Sequence, residues 1–200
     1  MMGYSKTLHN WQFLMEIIKE ERLVLPGLRM AELGNQYIWK DVFKTPAHLV
    51  AKDVFESFGV NYYSFDRNGL DGALPLDLSV PLPEIYLGGY DIVTNCGTSE
   101  HVHNQYECWA NIHRLCRVNG IMWHFVPEVG SWAEHNAVVR YTADNLAALA
   151  EACGYEAIRL RRTELITEGR PYHSLEAAFL KLTPDFITPE QFAEIMPCSA

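Results

Sequence analysis

Four short stretches bring together residue types able to bind or transform a small ligand. In Glu32-Leu33-Gly34-Asn35-Gln36 a carboxylate stands two residues before a glycine, where backbone can approach a ligand with no side chain between. Asp66, just ahead of Asn68-Gly69, closes an apolar run; a carboxylate at such a strand end can accept from both hydroxyls of a ribose, and it equally suits a turn. Asp77-Leu78 and the run Asn95-Cys96-Gly97-Thr98-Ser99-Glu100-His101 complete the set. His101 is a proton acceptor suited to neutral pH, and His124 and His135 are further candidates. Glu100 and His101 with His103, His124 or His135 would offer oxygen and nitrogen ligands to Mg²⁺, Mn²⁺ or Zn²⁺. Cys96 would need a depressed pKa and a partner base to act as a nucleophile.

What is absent narrows the field. No GxGxxG fingerprint and no GxxxxGK[ST] loop occurs, so neither a dinucleotide pyrophosphate nor a P-loop phosphate has its usual cradle. Sixteen Lys and Arg against twenty-five Asp and Glu leave a net charge of −9, which disfavours nucleic acid and anionic membrane as partners. No run approaches the roughly 18 apolar residues of a membrane span, and the N-terminus has no signal-peptide pattern. Five cysteines without a CxxC spacing fit reduced thiols, so a cytoplasmic protein is expected.

The elements that must position these residues follow from hydrophobic period and punctuation. Residues 5–21 read as an amphipathic helix, 28–33 as a buried strand stopping at Gly34, and 45–58 as a helix capped by Thr45 and stopped by Gly59. Strands follow at 60–65 and 90–95, with a short one expected at 76–79 inside a Gly- and Pro-rich stretch. A long helix is expected over 99–116, a strand over 121–126, a helix over 142–153, and two strands over 155–165 and 174–182. Thr188-Pro189-Glu190-Gln191 opens a last short helix with a capping box. This alternation predicts an α/β fold: a doubly wound, mostly parallel seven-stranded sheet with an antiparallel edge strand. The expected organisation is an N-terminal helical extension over 1–27, the sheet domain over 28–183, and a short C-terminal helix within 184–200. In such a sheet the ligand sits at the carboxyl ends of the strands where strand order reverses, which is where the four stretches fall.

Taken together, the stretches MAELGNQ (30–36), YYSFDRNG (62–69), LDLSVPLPE (76–84), YDIVTNCGTSEHV (90–102), NIHRLCRVNGIMWHFVP (111–127) and HNAVVRYTADNLAALAEACGYE (135–156) resemble class I (Rossmann-like) S-adenosylmethionine-dependent methyltransferases. The resemblance covers about two-thirds of the chain and implies a cofactor site. Glu32, Gly34 and the backbone at Asn35-Gln36 would hold the methionine part, and Asp66 the ribose. Asp77 and the Leu78 backbone would meet the adenine edge, and Asn95-Cys96 would line the pocket beneath the sulfonium. His101 is then the expected base; the Arg140-Tyr141-Thr142 segment that follows His135 would close over the acceptor, and Trp132 and Tyr141 would form an aromatic wall. The family loop usually carries further glycines; here Gln36 stands where the second is expected, which narrows the pocket or reshapes it around side-chain amides. The expected activity is O- or N-methylation of a small soluble acceptor, with S-adenosylhomocysteine as product. Two alternatives stand beside it: a catalytically degenerate cofactor-binding or scaffold protein, and a metal-assisted enzyme using Glu100, His101 and His124.

Overall fold

The computed structural model describes residues 7–131, 137–167 and 170–196. In chain order the first half comprises α1 (Leu8–Glu20), β1 (Arg29–Leu33), β2 (Tyr37–Ile38), α2 (Lys40–Phe43), β3 (Leu49–Val50), α3 (Ala51–Ser57) and β4 (Asn61–Phe65). The second half comprises β5 (Tyr90–Cys96), α4 (Gln105–Leu115), β6 (Cys116–Pro127), α5 (Ala143–Ala152), β7 (Tyr155–Thr167), β8 (Arg170–Lys181) and α6 (Pro189–Ile195).

β1 is buried from Met30 to Leu33 because it is covered on both faces, as parallel strands with helical crossovers must be. It lies between β4 and β5, both parallel to it, and β6 continues the parallel set beside β5. β8 then runs antiparallel between β6 and β7, so the order across the sheet is β4-β1-β5-β6-β8-β7. Alternation along β6 shows the two layers. Ile121, Trp123 and Phe125 pack toward α1 and α3, while Met122 and Val126 pack toward α4, α5 and α6. Phe13 of α1 meets Trp123 at 5.6 Å between ring centroids, and burial of a side chain of this size contributes about 1.5–3 kcal/mol.

Four expectations need correction. The sheet has six strands, not seven: residues 76–79 make no strand, and only the single bridge Phe65–Leu74 extends the sheet beyond β4. Pro75 has no N–H to offer a ladder, and Asp77 turns the chain by accepting from the Ser79 N–H at 2.8 Å and its hydroxyl at 2.6 Å. The helix expected over 45–58 begins only at Ala51, because Leu49–Val50 pair antiparallel with Tyr37–Ile38. Thr45 does not cap it; its hydroxyl donates to the Ala47 carbonyl at 2.8 Å. The helix expected over 99–116 is split into a 3₁₀ turn, Ser99–His101, and α4, whose N-cap is Asn104 accepting from the Glu107 N–H. β6 begins at Cys116 rather than 121, with a register shift against β5 between Tyr90 and Ile92.

Among the described residues, no helix is long and apolar enough to cross a membrane.

Candidate active site

From β1 the chain moves outward to β4, then returns across β1 to β5, so strand order reverses between β1 and β5. Their carboxyl ends define the crevice in which sheets of this kind hold ligands. Gly34, immediately after β1, has φ +82°, a conformation that side chains rarely adopt. The next residues are pinned: Asp66 Oδ2, just past β4, accepts from the Asn35 N–H at 2.8 Å, and its Oδ1 accepts from the Asn68 N–H at 2.9 Å. Asn35 Nδ2 and the Tyr37 hydroxyl both donate to Asp71 Oδ2, at 2.7 and 2.6 Å, which holds the Asp71 carboxyl below its ordinary range. The loop after β1 is therefore tied to the loop after β4 by two carboxylates.

Glu32 lies on the opposite face of β1, fully buried beneath α1 and α3, where its Oε2 accepts from the Tyr62 hydroxyl at 3.4 Å. Cys96 faces the same layer and receives the Asn10 amide of α1 at 3.5 Å. Asp77 carries its Ser79 turn and lies 3.7 Å from Arg67. Leu78 is buried, and its carbonyl accepts from Asn111 Nδ2 of α4 at 3.1 Å. That amide also donates to the Val80 carbonyl at 2.8 Å, while Asn111 Oδ1 accepts from the Leu82 N–H at 3.1 Å. One buried side chain thus shapes the whole 78–82 loop.

Asn95 turns into the molecule. Its Nδ2 donates to Ser99 Oγ at 2.8 Å and lies 3.3 Å from His124 Nδ1, and its Oδ1 accepts from the Ser99 N–H at 3.1 Å. The Tyr141 hydroxyl lies 3.0 Å from Ser99 Oγ and donates to Gln105 Oε1 at 2.7 Å; Gln105 Nε2 donates to the Ser99 and Val102 carbonyls. Tyr141 is thus a buried member of this network rather than an exposed aromatic wall. The Glu100 carbonyl accepts from the Val138 and Val139 N–H groups, at 2.8 and 3.2 Å, which fastens the 137–141 segment over the turn. The Glu100 carboxyl is 2% exposed, and loss of solvent raises its pKa to about 8.

The histidines separate by environment. His101 sits on the 3₁₀ turn, partly exposed, with Nε2 4.0 Å from Glu100 Oε1. His124 is buried between the rings of Trp109, at 4.8 Å, and Phe179, at 5.6 Å, and burial lowers its pKa to about 3. A neutral ring in that place serves core hydrogen bonding rather than proton exchange at the mouth. His135 and Trp132 lie outside the described residues. Among the described residues no three His, Cys, Asp or Glu side chains converge to hold a metal ion, so Glu100, His101 and His124 do not form a ligand set.

The fit to the expected cofactor is divided. Asp66 and Asp77 both follow β4, the Asp66 N–H donating to the Leu74 carbonyl at 3.0 Å and Arg67 Nη1 lying 3.7 Å from Asp77 Oδ2, and a carboxylate oxygen that already accepts one N–H retains capacity for a hydroxyl. Above Gly34 there is no room. A Cβ placed there would lie 2.6 Å from Thr98 Oγ1 and 3.0 Å from Gln36 Nε2, so these two side chains fill the space beside the Gly34 α-carbon. Sequence reasoning missed Gln105, Asn111 and Asp71, and gave Thr98, inside the 95–101 run, no role of its own. The available signal was a concentration of amides and hydroxyls around an otherwise apolar framework, because buried amides must find partners.

No protein-family model matches the chain, and no curated protein sequence matches it. Solved structures do. 1,6-Didemethyltoxoflavin-N1-methyltransferase from Burkholderia thailandensis, solved with 1,6-didemethyltoxoflavin and S-adenosylhomocysteine, is similar over 84% of this chain and 76% of its own, at 13% identity and a TM-score of 0.59. A SAM-dependent methyltransferase from Methanosarcina mazei is similar over 82% and 97%, at 12% identity and 0.58. A 16S rRNA (adenine(1408)-N(1))-methyltransferase from Catenulisporales acidiphilia is similar over 86% and 94%, at 10% identity and 0.55. The chain has the class I, Rossmann-like methyltransferase fold, with six strands in its sheet. That fold serves both a small-molecule and an rRNA methyltransferase, so it does not specify an acceptor.

Proposed function

We propose that this protein is an S-adenosylmethionine-dependent methyltransferase acting on a small acceptor. The observation that carries the reading is Asp66, a carboxylate at the carboxyl end of the strand beside β1, in direct contact with the backbone of the loop that follows β1. The cofactor, when bound, supplies a methyl group activated by a sulfonium. The protein's own contribution is positioning: Asp66 holds the ribose hydroxyls, and Asp77 with the Leu78 backbone meets the adenine edge. His101, partly exposed on the turn after β5, accepts the acceptor's proton. A net charge of −9 supports a small acceptor over a polyanionic one.

The test is isothermal titration of S-adenosylhomocysteine and adenosine into the wild type and Asp66→Ala. Wild-type binding of either ligand, weakened about tenfold or more in the variant, is expected from the loss of hydrogen bonds to a charged acceptor. Absence of both ligands from the wild type would overturn the proposal. The filled space above Gly34 favours a second reading, a methyltransferase fold that binds a nucleoside without turnover. Methylation of any acceptor would eliminate it.

A further inference from the structure

Between the carboxyl ends of β1 and β5 the Gln36 side chain, with Thr98 beside it, bridges the two strands. Gln36 is 1% exposed, and its Nε2 donates to the Leu33 carbonyl at 3.3 Å, the Cys96 carbonyl at 3.1 Å and Thr98 Oγ1 at 3.3 Å. Thr98 Oγ1 in turn donates to the Leu33 carbonyl at 2.8 Å. Two of the three partners of that amide end are carbonyls, which only accept, so the nitrogen must point inward. The other end, Oε1, is buried and meets no hydrogen-bond donor among the described residues. The backbone is held as firmly: the Gln36 carbonyl accepts from the Ala51 N–H at the start of α3, and Asp66 holds the preceding N–H. The amide therefore links the last residues of two adjacent parallel strands at the place where the sheet would otherwise open.

We infer that Gln36 is the specificity-determining residue of this site, a side-chain gate that occupies the amino-acid half of the cofactor crevice and leaves the nucleoside half open. The inference rests on the methyltransferase reading and sharpens it. A ligand carrying an α-ammonium group can enter only when the amide gives up its partners. An ammonium has three N–H donors and is able to take over the Leu33 carbonyl, the Cys96 carbonyl and Thr98 Oγ1, so displacement need leave none of them unsatisfied. The gate thus sets a preference. Adenosine, which lacks the ammonium, never meets it, whereas S-adenosylhomocysteine must displace it.

The decisive experiment titrates S-adenosylhomocysteine and adenosine into the wild type, Gln36→Ala and Thr98→Ala, after thermal melts establish that each is folded. Thr98→Ala loosens the same closure from the β5 side while keeping the Gln36 side chain, and it serves if Gln36→Ala does not fold. The expected result is a gain of about tenfold or more in S-adenosylhomocysteine affinity in either variant, with adenosine affinity unchanged. Adenosine binding throughout, with no gain for S-adenosylhomocysteine, would overturn the gate and leave the nucleoside site standing. Equal gains for both ligands would also overturn it, since the crevice would then be opened without discrimination. Failure of every ligand on every protein would overturn the gate and the methyltransferase reading together.

Discussion

Glu100 is a carboxyl group folded into a place where its charge is costly. Desolvation raises its pKa from 4.5 to about 8, so the folded state holds a proton that the unfolded chain releases near pH 4.5. The stability this provides is fully present below pH 4.5 and is lost as pH rises toward 8. His124 and His113 act in the opposite sense. Burial lowers their pKa values to about 3 and about 4, so their contribution is present above pH 6.5 and is lost as pH falls. Above about pH 7.5, where a histidine of ordinary pKa 6.5 is largely neutral in both states, Glu100 is the one of these three groups that still titrates. Urea unfolding above that pH should show wild-type stability falling, with a slope of at most about 1.4 kcal/mol per pH unit. Glu100→Gln should flatten it, and an unchanged slope in the variant would place the proton elsewhere.

At the scale of elements, α4 does more than cover the sheet. Asn111 reaches from its middle to hold Leu78, Val80 and Leu82, which gives the stretch after β4 a defined path where a seventh strand was expected. Asn111→Ala would leave buried backbone groups without partners, a loss of about 1–3 kcal/mol. Denaturant melts should show that loss, and amide exchange should quicken at Leu82 first. A stable variant with unchanged exchange would mean that the prolines alone hold the loop. The shortened helix between 45 and 58 follows the same principle. Thr45 and Pro46 are good starting residues, yet Leu49–Val50 gain a ladder with Tyr37–Ile38, and that pairing decides where α3 begins.

For the molecule as a whole, α1 is fastened across the far edge of the sheet. Glu176 of β8, fully buried, accepts from Thr163 at 2.9 Å and Arg161 at 2.6 Å and contacts His9; Arg159 binds Glu16 and Glu20 further along α1. This fastening reaches the crevice, because Asn10 of α1 touches Cys96, whose carbonyl receives Gln36. Glu176→Ala is expected to destabilise the fold by about 1–3 kcal/mol through the groups it leaves unpaired. Hydrogen exchange should rise across residues 8–20 in the variant. Unchanged protection there would show that packing of Phe13 and Trp11 alone holds the helix.

The sequence by itself determined what depends on neighbours along the chain. Apolar period and punctuation located β1, β4, β5 and the closing β7–β8 pair, and the capping boxes at Thr142 and Thr188 formed where short-range hydrogen bonds permit them. Strand ends, and with them Gly34 and Asp66, followed directly. Tertiary structure decided which polar groups have partners, because those partners come from distant chain. Gln36 meets Cys96 sixty residues away, and Asn111 meets Leu78 thirty-three residues away. It also decided that His124 is buried while His101 stays partly exposed, although both stand near the ends of apolar strands. A buried amide is satisfied only by what folding brings to it, and that is why the closing of the crevice by Gln36 and Thr98 is written in the fold rather than in any motif.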